Sequence, residues 1–473
     1  MAKLSRNAHI LVFPFPAQGH MIPLLDLTHR LGTIAADLTI TVLVTPKNLP
    51  FLTQLLSSHP RIQTLVLPFP PHPSIPPHVE NFKDLPQHCL TSLIHTLGQL
   101  YDPLLSWFES HPSPPSVIVS DMFLGWTQRL AFCLGIKRIV FSPSGAMALS
   151  ILYSLWMDLP KLDDPRDQTA VISFDKIPNC PKYPWWKLSS SYRACVEGDP
   201  AMEFIRDVFL ANIESWGLVV NSFGELEGPY LDYLDKVMGN DHVWAVGPLI
   251  LLHDDLSGPI QRCGCNSVPV DHLLTWLDSC EEGEVVYVCF GSQVVLTNDQ
   301  MAGVASALEE SGVRFIWSIK EPTEGHVEEQ YGRIPNGFED RVANRGLVIR
   351  GWSPQVTILS HRAVAAFLTH CGWNSVLEAV VAGVTMLTWP FGADQFVDQT
   401  LLVDELGVAK KACEGAQTVP NSDELARVLA ESVSKRNQVE RERVMQWRKA
   451  ALDAIKEGGS SAKDMEELVK HLL

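Results

Sequence analysis

The sequence predicts an α/β protein built from two parallel-sheet units in tandem. Three observations carry that expectation. Short apolar runs without polar alternation recur through both halves of the chain, as strands buried on both faces require. Stretches of helical periodicity separate them. Between the halves lies LLHDDLSGPIQRCGCNSVPV (251–270), polar, containing Gly and Pro and showing neither period, which reads as an interdomain linker.

The elements follow in order. HILVFPF (9–15) reads as a buried strand and MIPLLDLTHRLG (21–32) as a helix stopped at Gly32. LTITVLVT (38–45), SVIVSD (116–121), RIVFSPS (138–144), WGLVVNSF (216–223) and VWAVGPLI (243–250) continue the first sheet. The Pro-rich LPFPPHPSIPPH (67–78) reads as an irregular loop. The second half starts over with EVVYVCFGS (284–292), then a helix over 298–312 with an Asn298 cap and a Gly312 stop, then RFIWSIK (314–320). GLVIRGW (346–352), VAAFLT (364–369) and VTMLTWP (384–390) complete a second parallel set. From about Ser422 the tail is helical and charged, with a break at Gly458–Gly459. The expected domains are therefore 1–250 and 271–455, with 456–473 a terminal helix returning to the first. Sheets of this kind present the carboxyl ends of their strands to ligands, and two of them in tandem imply a cleft lined by those ends.

Composition narrows the function. A chain of 473 residues, 46% hydrophobic and 19% charged, is globular and long enough for more than one core. A net charge of −17 argues against nucleic acid or an anionic membrane surface as the main partner, yet leaves room for a small anionic ligand held by local dipoles. Ten cysteines follow no repeating spacing, and the one close pair, Cys263 and Cys265, has no zinc-spaced histidines, so reduced thiols and a cytoplasmic setting are expected. The apolar stretch His9–Phe15 is too short for a secretory signal, and no run approaches the roughly 20 apolar residues of a membrane span.

Dinucleotide and P-loop chemistry fit poorly. No Gly-x-Gly-x-x-Gly follows the first strand, where PFPAQGH offers only Gly19, and no Gly-Lys-Ser/Thr loop occurs. More specific is THCGWNSVLEAVVAG (369–383). There a strand ends at Thr369, Gly372 lets backbone approach a ligand closely, and a helix begins near Trp373–Ser375. Its first N–H groups, the Ser375 hydroxyl and a ring nitrogen of His370 form an anion site. A plain strand–turn–helix capped by Ser375 is the competing reading of this segment alone. The neighbours weigh against it. Trp352, in GWSPQ, offers a stacking platform for a planar base, with the Gln355 amide beside it. Glu378 lies one turn beyond Asn374, where a carboxylate accepts from ribose hydroxyls. Asp394 and Gln395 follow the strand VTMLTWP and suit sugar hydroxyls.

From Trp352 to Gln395 the sequence WSPQVTILSHRAVAAFLTHCGWNSVLEAVVAGVTMLTWPFGADQ closely resembles the signature box of plant UDP-dependent glycosyltransferases, across all forty-four positions without a gap. The resemblance covers essentially the whole chain. Its LTHR, VLVTPKN, FSPSGA and VVYVCFGS segments look most like the flavonol 7-O-glycosyltransferase branch. It implies the GT-B architecture, two Rossmann-like domains facing across a cleft, the first for the acceptor and the second for the UDP-sugar. Carried over by position, it assigns Trp352 to uracil stacking, Gln355 to the ribose and base edge, and Glu378 to ribose hydroxyls. His370, Asn374, Ser375 and Ser292 would hold the diphosphate, and Trp373 (through its backbone), Asp394 and Gln395 the sugar, with Ser144 near the sugar or phosphate. Gln395 is the family's pattern for glucose users, so UDP-glucose is the expected co-substrate, with UDP-rhamnose and UDP-xylose as alternatives. The chain lacks an Asp-x-Asp motif, and no metal or other cofactor is expected.

His20 follows the first strand and starts the next helix, a position that disfavours the imidazolium and suits a neutral base. A histidine that merely packs locally is the competing reading. Asp121 ends SVIVSD in the same sheet, where a carboxylate on one ring nitrogen would fix the tautomer. The resemblance puts its base and orienting acid at these two positions. Phe15, Phe123, Trp126 and Phe391 flank the proposed positions, and KYPWWKLSSSYRAC (182–195) contributes Trp185 and Trp186. Aromatics of this size are more often core than ligand platform, but their loop locations fit a planar phenolic acceptor such as a flavonoid. The expected activity is inverting sugar transfer by a monomer. The competing classes are a sugar-nucleotide-binding pseudoenzyme and an oxidoreductase.

Overall fold

Strand polarity decides the architecture. The structure is a computed structural model that describes residues 8–196, 198–250, 267–322 and 330–473; most of the linker read at 251–270 lies outside the described residues. The chain divides into two compact units, Met1–Gly258 with Ala454–Leu473, and Pro259–Asp453.

The first unit carries β1 (His9–Phe13), β2 (Thr39–Val44), β3 (Gln63–Val66), β4 (Val117–Asp121), β5 (Lys137–Ser142), a separate antiparallel pair β6 (Val171–Ser173) and β7 (Lys182–Pro184), then β8 (Gly217–Val220) and β9 (Val243–Ala245). Its main sheet runs β3-β2-β1-β4-β5-β8-β9, every pairing parallel. The second unit carries β10 (Val285–Cys289), β11 (Arg314–Ile319), β12 (Gly346–Arg350), β13 (Val364–Thr369), β14 (Thr385–Thr388) and β15 (Ala409–Lys411), ordered β12-β11-β10-β13-β14-β15 and again all parallel. All residues of β1 and of β13 are buried, because helices cover both faces.

In each sheet the strand order reverses once, between β1 and β4 and between β10 and β13. Phe13 there lies opposite Ser120, and Cys289 opposite Thr369. Connections leaving such a pair turn to opposite sides and open a crevice at the strands' carboxyl ends.

Several elements depart from the sequence reading. The helix after β1 spans Gln18–Ile34 rather than 21–32. Gly32 lies inside it, with the His59 ring packed where its Cβ would be. The helix Asn298–Ser311 is capped by Thr297, not Asn298: the Thr297 hydroxyl accepts from Gln300 N–H while the Gln300 side chain accepts from Thr297 N–H. Gly312, at φ 68°, does end that helix. The sheet-edge strands β3 and β15 have no apolar run to announce them; an edge strand is covered less completely, and in β3 three of the four residues are exposed.

Two further contacts set the frame of the first site. The terminal helix Ser460–Leu472 ties to the edge of its own unit's sheet, Asp464 Oδ2 accepting from Ala245 N–H at 2.7 Å and the Ser461 hydroxyl donating to the Gly247 carbonyl. After β5 the chain turns through Ser144 into the helix Ala146–Asp158. There the fully buried Glu227 carboxylate accepts from Ala146 N–H at 2.9 Å and Met147 N–H at 2.8 Å. A carboxylate at a helix start satisfies both orphan donors and the dipole together. Glu227→Ala is therefore expected to lower unfolding free energy by about 2 kcal/mol or more, since two buried donors lose their acceptor. The shift of the urea midpoint against wild type measures it.

Candidate active site

His20 is the third residue of its helix, whose start at Ala17 has no side-chain cap. Asp121 is the last residue of β4, the strand beside β1. The strand order alone thus brings together two residues far apart in sequence: His20 Nδ1 lies 2.9 Å from Asp121 Oδ2, the carboxylate fully buried and the imidazole 18% exposed. A carboxylate only accepts, so Nδ1 carries the proton and the Nε2 lone pair is left to act as a base. The other carboxylate oxygen accepts from Phe123 N–H at 2.9 Å, so both oxygens are held.

Beneath this pair sits a residue that sequence reading passed over. Arg138, near the start of β5, is fully buried and donates to Ser120 Oγ, Asn212 Oδ1, Ser215 Oγ and the Asp121 carbonyl. Burial pulls its guanidinium down to about 10, an effect opposed by Tyr153 and Asp121, and it stays charged at neutral pH. The available signal was a charge at the start of an otherwise apolar strand.

The aromatic candidates separate by burial. Phe123 is half-buried and lies against the imidazole with ring centroids 4.6 Å apart. Phe15 is fully buried and edge-on to both His20 and Phe123. Trp126 is buried too and packs edge-on against Phe13 of β1, while Phe15 packs against the imidazole. Trp185 packs edge-on to Tyr192. Phe391 belongs to the second unit, stacked on Trp389 at 5.0 Å against the core. Ser144 is buried, and its carbonyl accepts from the Ser142 hydroxyl.

In the second unit the candidates gather at the other strand reversal. After β10 come Gly291, at φ 75°, and the half-exposed Ser292. After β13 come His370, Cys371 at φ 67°, and Gly372, which starts the helix Trp373–Ala382 with no side-chain cap. Ser375 is the third residue of that helix and not its cap. A helix start of this kind is an anion site. The His370 ring lies between two glycines: a Cβ on Gly291 would fall 2.6 Å from its Cε1 and Nε2, and one on Gly372 would also strike Nε2. Burial pushes the His370 imidazole down to about 4, and its buried Nδ1 has no hydrogen-bond partner among the described residues, so the ring is neutral at physiological pH.

Trp352 is half-exposed at the exit of β12. Gln355 Nε2 donates to both Ser375 Oγ at 2.9 Å and Glu378 Oε2 at 2.7 Å, joining three candidates in one cluster. Gln395 Oε1 accepts from Phe391 N–H at 2.8 Å and Gly392 N–H at 3.2 Å, which turns its Nε2 donors away from that loop. Asp394 precedes Gln395 at the helix start, next to Ala393 at φ 54°. Cys371 and Ala393 hold a conformation that non-glycine residues seldom adopt, on the loops after β13 and β14, and such strain concentrates at functional sites. Among the described residues, no group of three or more His, Cys, Asp or Glu is placed to hold a metal, and no helix is long and apolar enough to cross a membrane.

Comparison with known proteins identifies the family. The family model for UDP-glucoronosyl and UDP-glucosyl transferase matches residues 261–447. A flavonol 3-O-glucosyltransferase of Arabidopsis thaliana is 59% identical over 468 residues, covering 99% of this chain and 96% of that protein. The chain belongs to the plant family 1 UDP-glycosyltransferases. UDP-glycosyltransferase 89B2 of Stevia rebaudiana is 56% identical, covering 100% of this chain and 99% of that protein. The crystal structure of Arabidopsis thaliana UGT89C1 complexed with UDP-L-rhamnose matches with a TM-score of 0.82 at 40% identity, covering 99% of this chain and 100% of that one. This UDP-glycosyltransferase is therefore an enzyme of the GT-B fold, built from two Rossmann-like domains and using a UDP-sugar as co-substrate.

Two outcomes test the second unit. Gly372→Ala drives a methyl group into the His370 ring, and is expected to lower unfolding free energy by about 1–3 kcal/mol through overpacking, read from the urea midpoint. The His370 imidazole titrates below its ordinary 6.5 when folded, so the unfolded chain binds more protons between 6.5 and about 4. Stability is then expected to fall as pH drops through that window, and less steeply in His370→Gln, as urea midpoints taken across it record.

Proposed function

We propose that this UDP-glycosyltransferase moves glucose from UDP-glucose to a phenolic hydroxyl of a small planar acceptor of the flavonoid type, with inversion at the anomeric carbon. The observation that carries the reading is the 2.9 Å contact between His20 Nδ1 and Asp121, because it puts the neutral ring's proton on Nδ1 and keeps Nε2 as the basic position at a strand-end crevice. In this reading Nε2 takes the acceptor's proton as that oxygen attacks the anomeric carbon. The bond from that carbon to the phosphate oxygen breaks on the opposite face, and UDP leaves with the electron pair. Asp121 stabilises the imidazolium that forms, without itself taking the proton.

The first unit serves the acceptor, with Phe123 as the aromatic contact beside the base, Phe15 packed against the base and Trp126 against β1. The second unit serves the donor. Trp352 stacks on uracil, Gln355 and Glu378 meet the ribose, and the start of the helix Trp373–Ala382 receives the diphosphate charge with His370, Asn374, Ser375 and Ser292. The Trp373 backbone, Asp394 and Gln395 take the sugar, and the family resemblance assigns Ser144 to its 6-position or the phosphate. The reading needs no metal, and it places a monomer in the cytosol. Glucose is supported by the flavonol 3-O-glucosyltransferase at 59% identity and by Gln395, the family's pattern for glucose users. A second reading, rhamnose transfer, is supported by the flavonol 7-O-rhamnosyltransferase of Arabidopsis thaliana, 40% identical over 481 residues, and by the UDP-L-rhamnose complex. That the related UGT89C1 also exists as a quercetin complex supports the acceptor class.

His20→Ala is expected to lose transfer by about 100-fold or more while binding UDP as before, and Asp121→Asn to follow it through the wrong tautomer. Joint loss of turnover and UDP binding in His20→Ala would instead mark a structural histidine. UDP-glucose, UDP-rhamnose and UDP-xylose offered together at equal concentration with a flavonol should give mainly the glucoside; a rhamnoside would select the second reading.

A further inference from the structure

Tyr287 stands in the middle of β10, fully buried, on the strand that ends just before Gly291 and Ser292. Burial above all raises its phenol well above the ordinary value, so the hydroxyl keeps its proton; the Cys289 thiol beside it is likewise held protonated by burial. The ring stacks on Phe367 with centroids 4.9 Å apart, which fixes where the hydroxyl points. That hydroxyl lies 2.8 Å from Ser353 Oγ and 3.3 Å from Gln355 Oε1.

The proton directions then follow from chemistry. Gln355 Oε1 only accepts, so the single Tyr287 proton goes to it, and the Ser353 hydroxyl donates to Tyr287 in turn. With Oε1 held, both amide N–H groups of Gln355 face Ser375 and Glu378, as found. Turned over, the amide would set its oxygen against the Glu378 carboxylate. The chain Ser353, Tyr287, Gln355, Glu378 is therefore directional, each donor polarising the next.

We infer that Tyr287 is a positioning residue for donor recognition: by fixing the Gln355 amide it holds the Glu378 carboxylate in the orientation that accepts from the ribose diol of the nucleotide. The inference rests on the reading of Glu378 as a ribose contact. It goes beyond that reading in placing part of the discrimination between ribose and deoxyribose in a core tyrosine that touches no ligand.

The test compares calorimetric affinities for UDP and 2′-deoxy-UDP in wild type, Tyr287→Phe, Ser353→Ala and Glu378→Gln. Tyr287→Phe keeps the stack on Phe367 and removes only the hydroxyl. Its UDP affinity is expected to fall about tenfold, the scale of one hydrogen bond to a charged group, with 2′-deoxy-UDP, which keeps only the 3′-hydroxyl of the diol, losing distinctly less. The KM for the UDP-sugar rises in step, and kcat at saturating donor holds. Ser353→Ala removes the donor that holds the Tyr287 hydroxyl and should show the same selective loss at smaller size, which keeps the inference testable if the Phe variant does not fold. Equal loss of both nucleotides in Tyr287→Phe would mean a merely structural role and overturn the inference. So would wild-type discrimination in Tyr287→Phe while Glu378→Gln has lost it. Wild-type discrimination in Glu378→Gln would overturn the ribose reading itself, and the inference with it.

Discussion

Everything chemical in this chain depends on one constraint of parallel sheets: successive strands are joined by right-handed crossovers, so a sheet growing in both directions must reverse its order once. Only at that reversal do two neighbouring strands send their following segments to opposite sides. Both units obey it, β1 beside β4 and β10 beside β13. The first reversal brings His20 to Asp121, and the second sets Gly291 and Ser292 beside His370 and Gly372. The second does so through loops that pass left-handed backbone at Gly291 and Cys371.

The two histidines at those reversals show how surroundings divide labour between identical side chains. His20 has a buried carboxylate on Nδ1 and a solvent-touched ring, so it can take a second proton and have that charge compensated. His370 has no partner on Nδ1 among the described residues and is pressed between glycine backbones, so burial keeps it neutral down to about pH 4. A ring that resists protonation makes a poor general base but a steady neighbour for an anion, because it does not change charge as the reaction proceeds. Arg138 completes the contrast: the first site carries a buried cation beneath its carboxylate.

Much of this was legible in the sequence, and the reasons are specific. Unalternating runs such as VAAFLT gave the strands because double burial removes polar positions, and the reading of 364–369 matches β13 residue for residue. The Trp352–Gln395 box was legible through its resemblance, since its unusual residues sit at strand exits. The polar bracing was not legible. Tyr287 in VVYVCFGS reads as core, and nothing local says that its hydroxyl meets Gln355, 68 positions away. Arg138 has the same problem, with partners from Ser120 to Ser215 that only the sheet assembles. The left-handed Cys371 and Ala393 escaped because no glycine marks them. Thr297 was missed as a cap because Asn298, the next residue, is an equally good candidate by type.

The terminal helix gives the molecule an asymmetry of connectivity. The segment Ala454–Leu473 belongs to the same unit as Met1–Gly258, and Asp464 supplies the acceptor for an edge amide of β9. The second unit is therefore one uninterrupted stretch of chain nested within the first, which is assembled from two pieces. An excised fragment Pro259–Asp453 contains every strand of its own sheet. A fragment cut after Gly258 leaves the β9 amide at Ala245 without its carboxylate acceptor. During synthesis the same nesting means that the first unit is complete only when the last residues emerge, after the whole of the second has been made.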